Sequence, residues 1–247
     1  MNRWKASAIH LTISMGLAVG IAALLYFLWF PPPYFIAAGA SRLIILLMGV
    51  DVCIGPLLTL LVVSPHKAKR LLKLDLSIIA IIQVIAFAYG VHVIAAARPV
   101  FVVAEVDRLV LVSADQLADA DLARGSQPIF RRRSWTGPSL VGALPPSNSV
   151  DPGAVIKVLE GGKDIDQLPQ FYVSYAQVID RVMHHAIPLP QLKHVTASQR
   201  RQLDEIQSTA GSTPLLALPL QRGDHDYTAI MSPETRRPLA ILAIEPW

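Results

Sequence analysis

The sequence predicts an integral membrane protein with three transmembrane helices followed by a small α+β extracytoplasmic domain. Of the 247 residues, 53% are hydrophobic and only 16% are charged, a larger apolar share than a soluble domain needs. The apolar excess lies in three long runs before residue 98, and beyond that point short apolar stretches alternate with turn residues and helix caps. We therefore divide the chain into a three-helix transmembrane region, residues 1–97, and an α+β domain, residues 98–247.

The first apolar run extends from Ser7 to Phe30, which is enough to cross a hydrocarbon core of about 30 Å at a rise of about 1.5 Å per residue. Its flanks, MNRWK and AAGA, are similar to those of a secretory signal peptide with a cleavage site. The apolar core of a signal peptide usually has about 7–15 residues, and this run is considerably longer. We therefore expect a retained helix that ends at Pro31–Pro33, because prolines have no backbone N–H to donate.

The second and third runs, Leu43–Val63 and Leu76–Ala97, are also of spanning length. Basic residues are concentrated in two other segments: Arg3 and Lys5 at the N-terminus, and Lys67, Lys69, Arg70 and Lys73 in the 64–74 loop. The positive-inside rule assigns both segments to the cytoplasm. Because three spans place the chain ends on opposite sides, we expect a multi-pass membrane protein with a cytoplasmic N-terminus and a C-terminal domain outside, in the periplasm if the cell is Gram-negative.

Aromatic residues agree with this orientation. Trp4 is placed at the inner membrane surface, and Tyr26, Trp29 and Tyr34 are placed near the outer one, where aromatic side chains are enriched. We expect all four to act as interfacial anchors.

Charge and cysteine content exclude several classes of protein. Seven of the 22 Lys and Arg residues and two of the 18 Asp and Glu residues lie in 1–97, so this half has a net charge of +5 and the remainder −1. A nearly neutral outer domain predicts no nucleic-acid binding. Cys53 is the only cysteine in the sequence, so an internal disulfide is excluded.

Among the polar side chains within the apolar runs, His10, Asp51, Gln83 and Tyr89 stand out. An ionisable group at membrane depth costs at least a few kcal/mol, so we expect Asp51 to face protein or water rather than lipid. Counted from the ends of their runs, Asp51 lies about 12 Å below the outer surface and Gln83 about 12 Å above the inner one, a vertical gap of roughly 6 Å. Pro56 frees a backbone carbonyl one turn earlier and is expected to widen a groove beside Asp51.

Two interpretations of this group are open. In the first, Asp51 and Gln83 hydrogen-bond across the helix bundle as structural contacts. In the second, Asp51, Pro56, Gln83 and Tyr89 form an intramembrane site, either for the membrane helix of a partner or for an ion path.

The outer domain contains local signals for both strands and helices. RPVFVVAEVDRLVLVS predicts two strands joined by a turn at Asp107–Arg108, and the segment after residue 214 predicts three more. Helices are predicted at 114–125, 151–161, 174–186 and 196–211, the last opened by a capping box, Thr196 with Gln199. Segment 126–149 is punctuated by Pro and Gly, so we expect it to be irregular.

The sequence contains no catalytic motif that we recognise. His184 and His185 are adjacent, so on a helix they point about 100° apart and cannot easily share a metal ion. H-x-x-x-H, G-x-S-x-G, P-loop and dinucleotide fingerprints are missing. Arg131–Arg133 suits acidic lipid or a partner, although such runs are usually solvated. We predict a protein that is not an enzyme and has no cofactor and no metal site.

Six segments follow one another along most of the chain, with a short basic loop between the second and the third: RWKASAIH, GVDVCIGPLLTLLV, DLSIIAIIQVIAFAYG, ARPVFVVAEVDR, WTGPSLVGA and GGKDIDQLPQFYVSY. This ordered set resembles the TfpX/TfpZ family of type IV pilin accessory proteins. The resemblance implies an inner-membrane protein that helps to produce or stabilise type IV pilins, with pilin as its partner, membrane lipids around its helices and no enzymatic activity.

The resemblance also implies an occupant for the groove at Asp51. Type IV pilins wait in the inner membrane with an apolar N-terminal helix that itself carries an acidic residue. A groove around Asp51, Gln83 and Pro56 can dock such a helix by small-residue packing and hydrogen bonds. One alternative is a membrane enzyme or transporter that acts on a lipid-linked substrate with Asp51 as proton carrier. Another is a sensor, although few residues face the cytoplasm to transmit a signal.

The orientation can be tested with reporter fusions. Alkaline phosphatase fused after Trp247 should be active, because the enzyme needs the oxidising periplasm and the basic segments keep the N-terminus and the 64–74 loop inside. An inactive phosphatase together with a fluorescent cytoplasmic reporter at the same position would reverse the topology.

Overall fold

A computed structural model describes residues 3–64, 67–144 and 162–246. The chain divides into two compact units. The helix unit comprises Met1–Leu28 and Gly39–Ala96, and the outer unit comprises Trp29–Ala38 and Ala97–Trp247. The helix predicted at 151–161 lies outside the described residues.

The helix unit is built on three helices that are long and apolar enough to cross a membrane, and no others of this kind occur among the described residues. The first span is α1 (Arg3–Leu24), which ends in a π-helical turn, Leu25–Trp29. The second consists of α2 (Ala40–Gly49), a π turn (Val50–Ile54) and α3 (Gly55–Val62). The third is α4 (Lys69–Ala97). The three predicted spans are thus confirmed as helices. The third begins at Lys69 rather than Leu76, because KRLLKL consists of good helix formers.

The outer unit is built on a mixed sheet that has eight strands within the described ranges. They are β1 (Pro99–Ala104), β2 (Leu109–Ser113), β3 (Ser139–Ala143), β4 (Tyr172–Ser174), β5 (Ile187–Pro188), β6 (Leu216–Arg222), β7 (His225–Met231) and β8 (Pro238–Leu242). Their order across the sheet is β4-β3-β1-β2-β6-β7-β8, and β5 pairs with the first residues of β6.

Three antiparallel groups, β3–β4, β1–β2 and β5–β8, are joined by two parallel pairings. β1 pairs with β2, and β7 with both β6 and β8, all antiparallel, so the hairpin around Asp107–Arg108 and the three C-terminal strands are confirmed. The pairs β1–β3 and β2–β6 are parallel. Parallel neighbours need crossover connections. The connections here contain α5 (Asp119–Leu122), α6 (Ile179–Met183), α7 (Ala197–Thr209) and 3₁₀ turns at Ala114–Gln116, Pro128–Arg131, Ile165–Gln167, Pro169–Phe171, Tyr175–Gln177 and Leu189–Gln191.

Two of the local predictions need correction. β3 lies in the segment expected to be irregular, because its small residues give a weak strand signal and its place between β1 and β4 depends on tertiary pairing. The helices expected at 114–125 and 174–186 are reduced to α5 and α6 beside 3₁₀ turns. The capping box is confirmed: the N–H of Gln199 donates to Thr196 Oγ1 at 3.3 Å, and the N–H of Thr196 donates to Gln199 Oε1 at 2.9 Å.

The core of the outer unit forms two clusters. In one, Phe101 and Phe130 contact Tyr172 with ring centroids 5.2 and 5.9 Å apart, both close to edge-to-face. In the other, Leu203 of α7 packs among buried apolar residues that include Ile230 of β7. Side chains of strands, helices and turns together form this core, and β1 and β2 are buried along their whole length.

The loop between the first two spans, residues 29–38, belongs to the outer unit. Phe30 and Ala37 are fully buried, and Nη1 of Arg222 in β6 donates to the carbonyl of Ala37 at 3.3 Å. Tyr34 is only 8% exposed, and burial raises its pKa to about 12. From the sequence alone, we expect this loop in the membrane region and Tyr34 at the membrane interface. The structure places Tyr34 in the outer unit, since no local pattern reveals which surface such a loop packs on.

A substitution in the 29–38 loop can test whether this loop belongs to the outer unit. Phe30→Ala should destabilise the outer unit by about 3–5 kcal/mol, because it opens a cavity at a fully buried site. Hydrogen–deuterium exchange of the full chain should then show faster exchange in strands β1 and β2. Phe27→Ala, three residues earlier at a position 71% exposed, is the matched control and should leave that exchange unchanged. Equal exchange in both variants would contradict the assignment of the loop.

Candidate functional site

Asp51 lies in the π turn of the second span, and its backbone carbonyl has an unusual donor. In π-helical register the carbonyl of residue i accepts from the N–H of residue i+5. For Asp51 that residue is Pro56, which has no N–H. Nε2 of Gln83 in α4 donates to this carbonyl at 3.4 Å. Pro56 thus removes a donor from the second span, and Gln83 replaces it from the third.

Gly55 makes this contact sterically possible. A Cβ atom on Gly55 would lie 1.9 Å from Nε2 of Gln83, far inside the contact distance of two nonbonded atoms. Any larger residue would displace the amide. Gly55 and Pro56 therefore both favour the position of the Gln83 side chain. Gly55 leaves space for its amide, and Pro56 leaves the Asp51 carbonyl free to accept its hydrogen bond.

Two further hydrogen bonds join α1 to α3. Ser7 Oγ donates to the carbonyl of Pro56 at 2.9 Å, and His10 Nδ1 lies 2.7 Å from Oγ1 of Thr59, which is almost fully buried. Polar contacts of this kind between membrane helices contribute about 0.6 kcal/mol each on average. His10, one of the polar interruptions of the sequence, is therefore a structural contact.

Unlike these groups, the side-chain carboxylate of Asp51 has an oxygen without a hydrogen-bond donor among the described residues. The predicted hydrogen bond between Asp51 and Gln83 is present, but at the backbone carbonyl rather than at the side chain. Asp51 is only 9% exposed, and its Oδ1 has no hydrogen-bond partner within the described part of the chain. A buried acceptor left without a donor costs roughly 1–3 kcal/mol in a protein interior, and more for a charged group.

Asp51 borders two cavities, both inside the helix unit. The first, of about 200 Å³, is lined by all three spans, with His10, Ser14 and Gln83 among its few polar residues. The second, of about 280 Å³, lies between α2 and α4 and is lined by Tyr89 and otherwise mainly by apolar side chains. Of the four predicted site residues, Asp51 joins Gln83 in the first cavity and Tyr89 in the second. Pro56 lines neither cavity and acts through the backbone.

Oδ1 of Asp51 is thus a hydrogen-bond acceptor at the edge of two mainly apolar cavities, which we call the cleft. Three or more His, Cys, Asp or Glu side chains do not come together anywhere in 3–64, 67–144 or 162–246 in a way that would hold a metal ion. The geometry instead suits an apolar segment that brings a single hydrogen-bond donor to Oδ1 of Asp51.

The outer unit contains an acidic cluster that the sequence analysis missed. It consists of Glu105, which follows β1, and Asp164 and Asp166 from the turn before β4. Burial, together with Asp166 and Asp164, raises the pKa of Glu105 to about 7. Burial and Asp164 raise the pKa of Asp166 to about 6. About sixty residues of chain separate the two segments, so no local pattern could have predicted their proximity.

The cluster predicts a pH dependence of stability. Both carboxyl groups bind protons more tightly in the folded than in the unfolded chain, so their stabilising effect is present at acidic pH and is lost as the pH rises through 6 and 7. The outer unit should resist thermal unfolding better at pH 5.5 than at pH 7.5. Glu105→Gln should stabilise it at pH 7.5 by about 1–3 kcal/mol, a value reduced for the partial exposure of Glu105, and should flatten the pH profile.

The matched control for this measurement is Glu205→Gln at an exposed position on α7, which should keep the wild-type profile. A Glu105→Gln variant with the same pH dependence as the wild type would show that the cluster does not titrate in this range.

Comparison with known proteins adds the last observation on the site. A model of the fimbrial assembly protein FimB family matches residues 1–39, which include His10 and Ser14 of the first cavity. The chain is 35% identical over 187 residues to a fimbrial assembly protein of serogroup I from Dichelobacter nodosus, covering 76% of this chain and 72% of that protein. It is 34% identical to the serogroup E1 protein of the same organism over equal shares of both chains.

A third relative, the fimbrial assembly protein of serogroups C1 and C2 from the same organism, is 42% identical over 109 residues, 44% of this chain and 83% of that protein. No solved structure matches the chain. The relatives bear the name fimbrial assembly protein, which agrees with the fimbrial role that the resemblance implied, and none of them bears the TfpX/TfpZ label.

Proposed function

From its place in the fimbrial assembly protein family, to which the chain belongs, we propose that it is an inner-membrane accessory protein that binds a type IV pilin and assists its stability or its assembly into pili. The role needs no catalysis and no cofactor. The relatives support a part in fimbrial assembly. Pilin as the bound component is our proposal from the resemblance and from the chemistry of the cleft.

The observation that most favours this proposal is the state of the Asp51 carboxylate. Its Oδ1 is buried in mainly apolar surroundings with no donor among the described residues, whereas the neighbouring backbone carbonyl receives one from Gln83. In hydrocarbon no water replaces a missing donor, so the group remains unsatisfied until another chain supplies one. A pilin helix that donates a hydrogen bond to Asp51 removes this penalty on binding.

The walls of the first cavity are suited to a helix. On the α1 side they include Ser14, Ala18 and Ala22, and α4 contributes Ala80. Small residues let two helix backbones approach closely, which is how helices associate in a bilayer where apolar burial gives no advantage over lipid. The N-terminal helix of pilin, which is itself apolar, fits such a surface.

The orientation is part of the proposal. With the basic N-terminus and the 64–74 loop in the cytoplasm, the outer unit lies in the periplasm. Pilin waits in the same membrane with its head on the same side. The membrane helix of pilin then reaches the cleft laterally, through lipid, and its head domain is within reach of the outer unit.

A second candidate is a transporter of a lipid-linked substrate with Asp51 as proton carrier. It is favoured by one observation, that Asp51 borders both cavities and is therefore open to two separate spaces. Such a role requires an ionisable group, whereas docking requires only a hydrogen-bond acceptor at this position. The two candidates therefore predict different effects of removing the charge alone.

The test combines photocrosslinking with two Asp51 variants in cells. A photoreactive amino acid at Val84, which lines the first cavity, should form an adduct with pilin. One at Leu61, which is 80% exposed and outside both cavities, is the matched control. Asp51→Asn keeps an acceptor and should preserve adduct and surface pili. Asp51→Leu should reduce the adduct about 3- to 15-fold at equal protein level, the equivalent of one interhelical hydrogen bond.

Three outcomes would contradict docking at Asp51. Equal adducts from Val84 and Leu61 would show that the cleft is not the binding surface. Normal piliation in both Asp51 variants would leave the carboxylate without a role. Loss of function in Asp51→Asn as severe as in Asp51→Leu, with the adduct retained, would favour the proton carrier.

A further inference from the structure

Trp135 is an exposed aromatic residue held beside two of the points where the chain leaves its spans. Trp29 is the last residue of the first span, and Arg98 follows Ala97, the last residue of the third. The rings of Trp135 and Trp29 lie 5.9 Å apart at an angle of 49°. The Arg98 guanidinium carbon lies 4.3 Å from the Trp135 centroid and 5.8 Å from that of Trp29.

The position of Trp135 is fixed by these contacts. Arg98 is buried between the two indoles, and its Nε donates to the carbonyl of Ser134 at 3.3 Å. The guanidinium therefore holds the backbone next to Trp135 and one face of its ring at the same time. In spite of this, Trp135 remains 63% exposed, so most of the indole is uncovered.

The arginine run before Trp135 is not simply solvated. Nε of Arg131 donates to the carbonyl of Gly125 at 2.6 Å. Arg133 donates to the carbonyl of Ala114 at 3.0 Å and pairs with Asp119. Arg132 between them is exposed. Two members of the run thus fix the segment, and the third presents its charge to the surroundings three residues before Trp135.

The spans place this segment at a definite depth. At a rise of about 1.5 Å per residue, the 27-residue first span and the 29-residue third span are each roughly 40 Å long, which matches a bilayer together with its headgroup layers. Their last residues therefore lie in the headgroup layer. Trp135, in ring contact with Trp29 and Arg98, lies in the same layer.

We propose that Trp135, together with Arg132, is an interfacial anchor by which the outer unit binds the headgroup layer of the bilayer, with a preference for anionic phospholipids. This inference rests on the membrane placement proposed above. Indole rings favour this layer because they are apolar with one hydrogen-bond donor, and arginine complements anionic headgroups. The sequence analysis selected Tyr34 for this role. Tyr34 is buried, and Trp135, about a hundred residues further along the chain, takes its place.

The anchor can be tested by measuring how deep spin labels on the full chain lie in the bilayer. The protein is inserted, one copy per disc, into nanodiscs of phosphatidylethanolamine and phosphatidylglycerol. One label is attached to the native Cys53, which is exposed within the second span. In a Cys53→Ser background, Thr136→Cys places a label beside an intact Trp135. Leu239→Cys, at an exposed apolar position in β8, is the matched control. Collision with oxygen reports lipid, and collision with a water-soluble nickel complex reports water.

The label at 136 should collide with the nickel complex severalfold less than the label at 239, and the label at Cys53 should collide with it least. Trp135→Ser should raise nickel access at 136 to the level at 239. Arg132→Glu should raise it in discs that contain phosphatidylglycerol and not in discs of phosphatidylcholine alone. An unchanged label at 239 in the Trp135→Ser protein shows that the outer unit has stayed folded.

Two results would overturn the anchor, and they differ in what else they affect. If the labels at 136 and 239 are equally open to nickel while the label at Cys53 is protected, the spans are inserted and Trp135 faces water. If the label at Cys53 is itself open to nickel, the membrane placement fails and the anchor fails with it.

Discussion

A bilayer interior contains no water to satisfy a backbone group, and the helix unit is organised by that constraint. The second span is interrupted at Val50–Ile54, where the π turn and Pro56 leave the Asp51 carbonyl without its helical donor. The third span supplies the donor through Gln83, and Gly55 leaves the space for it. The backbone is satisfied in this way, whereas Oδ1 of the Asp51 side chain has no hydrogen-bond partner among the described residues. Its carboxylate remains available at the border of two cavities.

The outer unit is held together by contacts between segments that lie far apart in the sequence. Its sheet joins three antiparallel groups through two parallel pairs, and the 29–38 loop adds buried side chains from a distant part of the sequence. Arg98 stands where the third span ends, and its stacking on Trp29 and Trp135 links the end of the first span to the segment before β3. These aromatic and cationic contacts thus lie within the outer unit, at residues next to the ends of the first and third spans.

Structural features that depend on residues close together in the sequence could be predicted from the sequence. The three spans, the hairpin at Asp107–Arg108, the C-terminal strands and the capping box at Thr196 all follow from hydrophobic periodicity, turn residues or caps. The strand β3, the Glu105 cluster and the burial of Tyr34 each depend on residues far apart in sequence, and no short pattern records them. At the candidate site, the expected contact between Asp51 and Gln83 is present, and the role of these residues in binding stays a prediction. The acceptor of this hydrogen bond, which is the Asp51 backbone carbonyl rather than its side chain, was not predictable, because it depends on the π-helical register of the second span.

The incorporation of the 29–38 loop into the outer unit also has a consequence for biogenesis. In the proposed orientation this loop is exported early, during synthesis of the first two spans. Its partner strands emerge only after the third span, and β8 ends at Leu242, roughly 200 residues later. At about 5–20 residues per second, the loop waits for about 10–40 s with Phe30 uncovered. During that interval the apolar loop has no completed sheet to pack on, and closure of the outer unit requires two separate exports of the same chain.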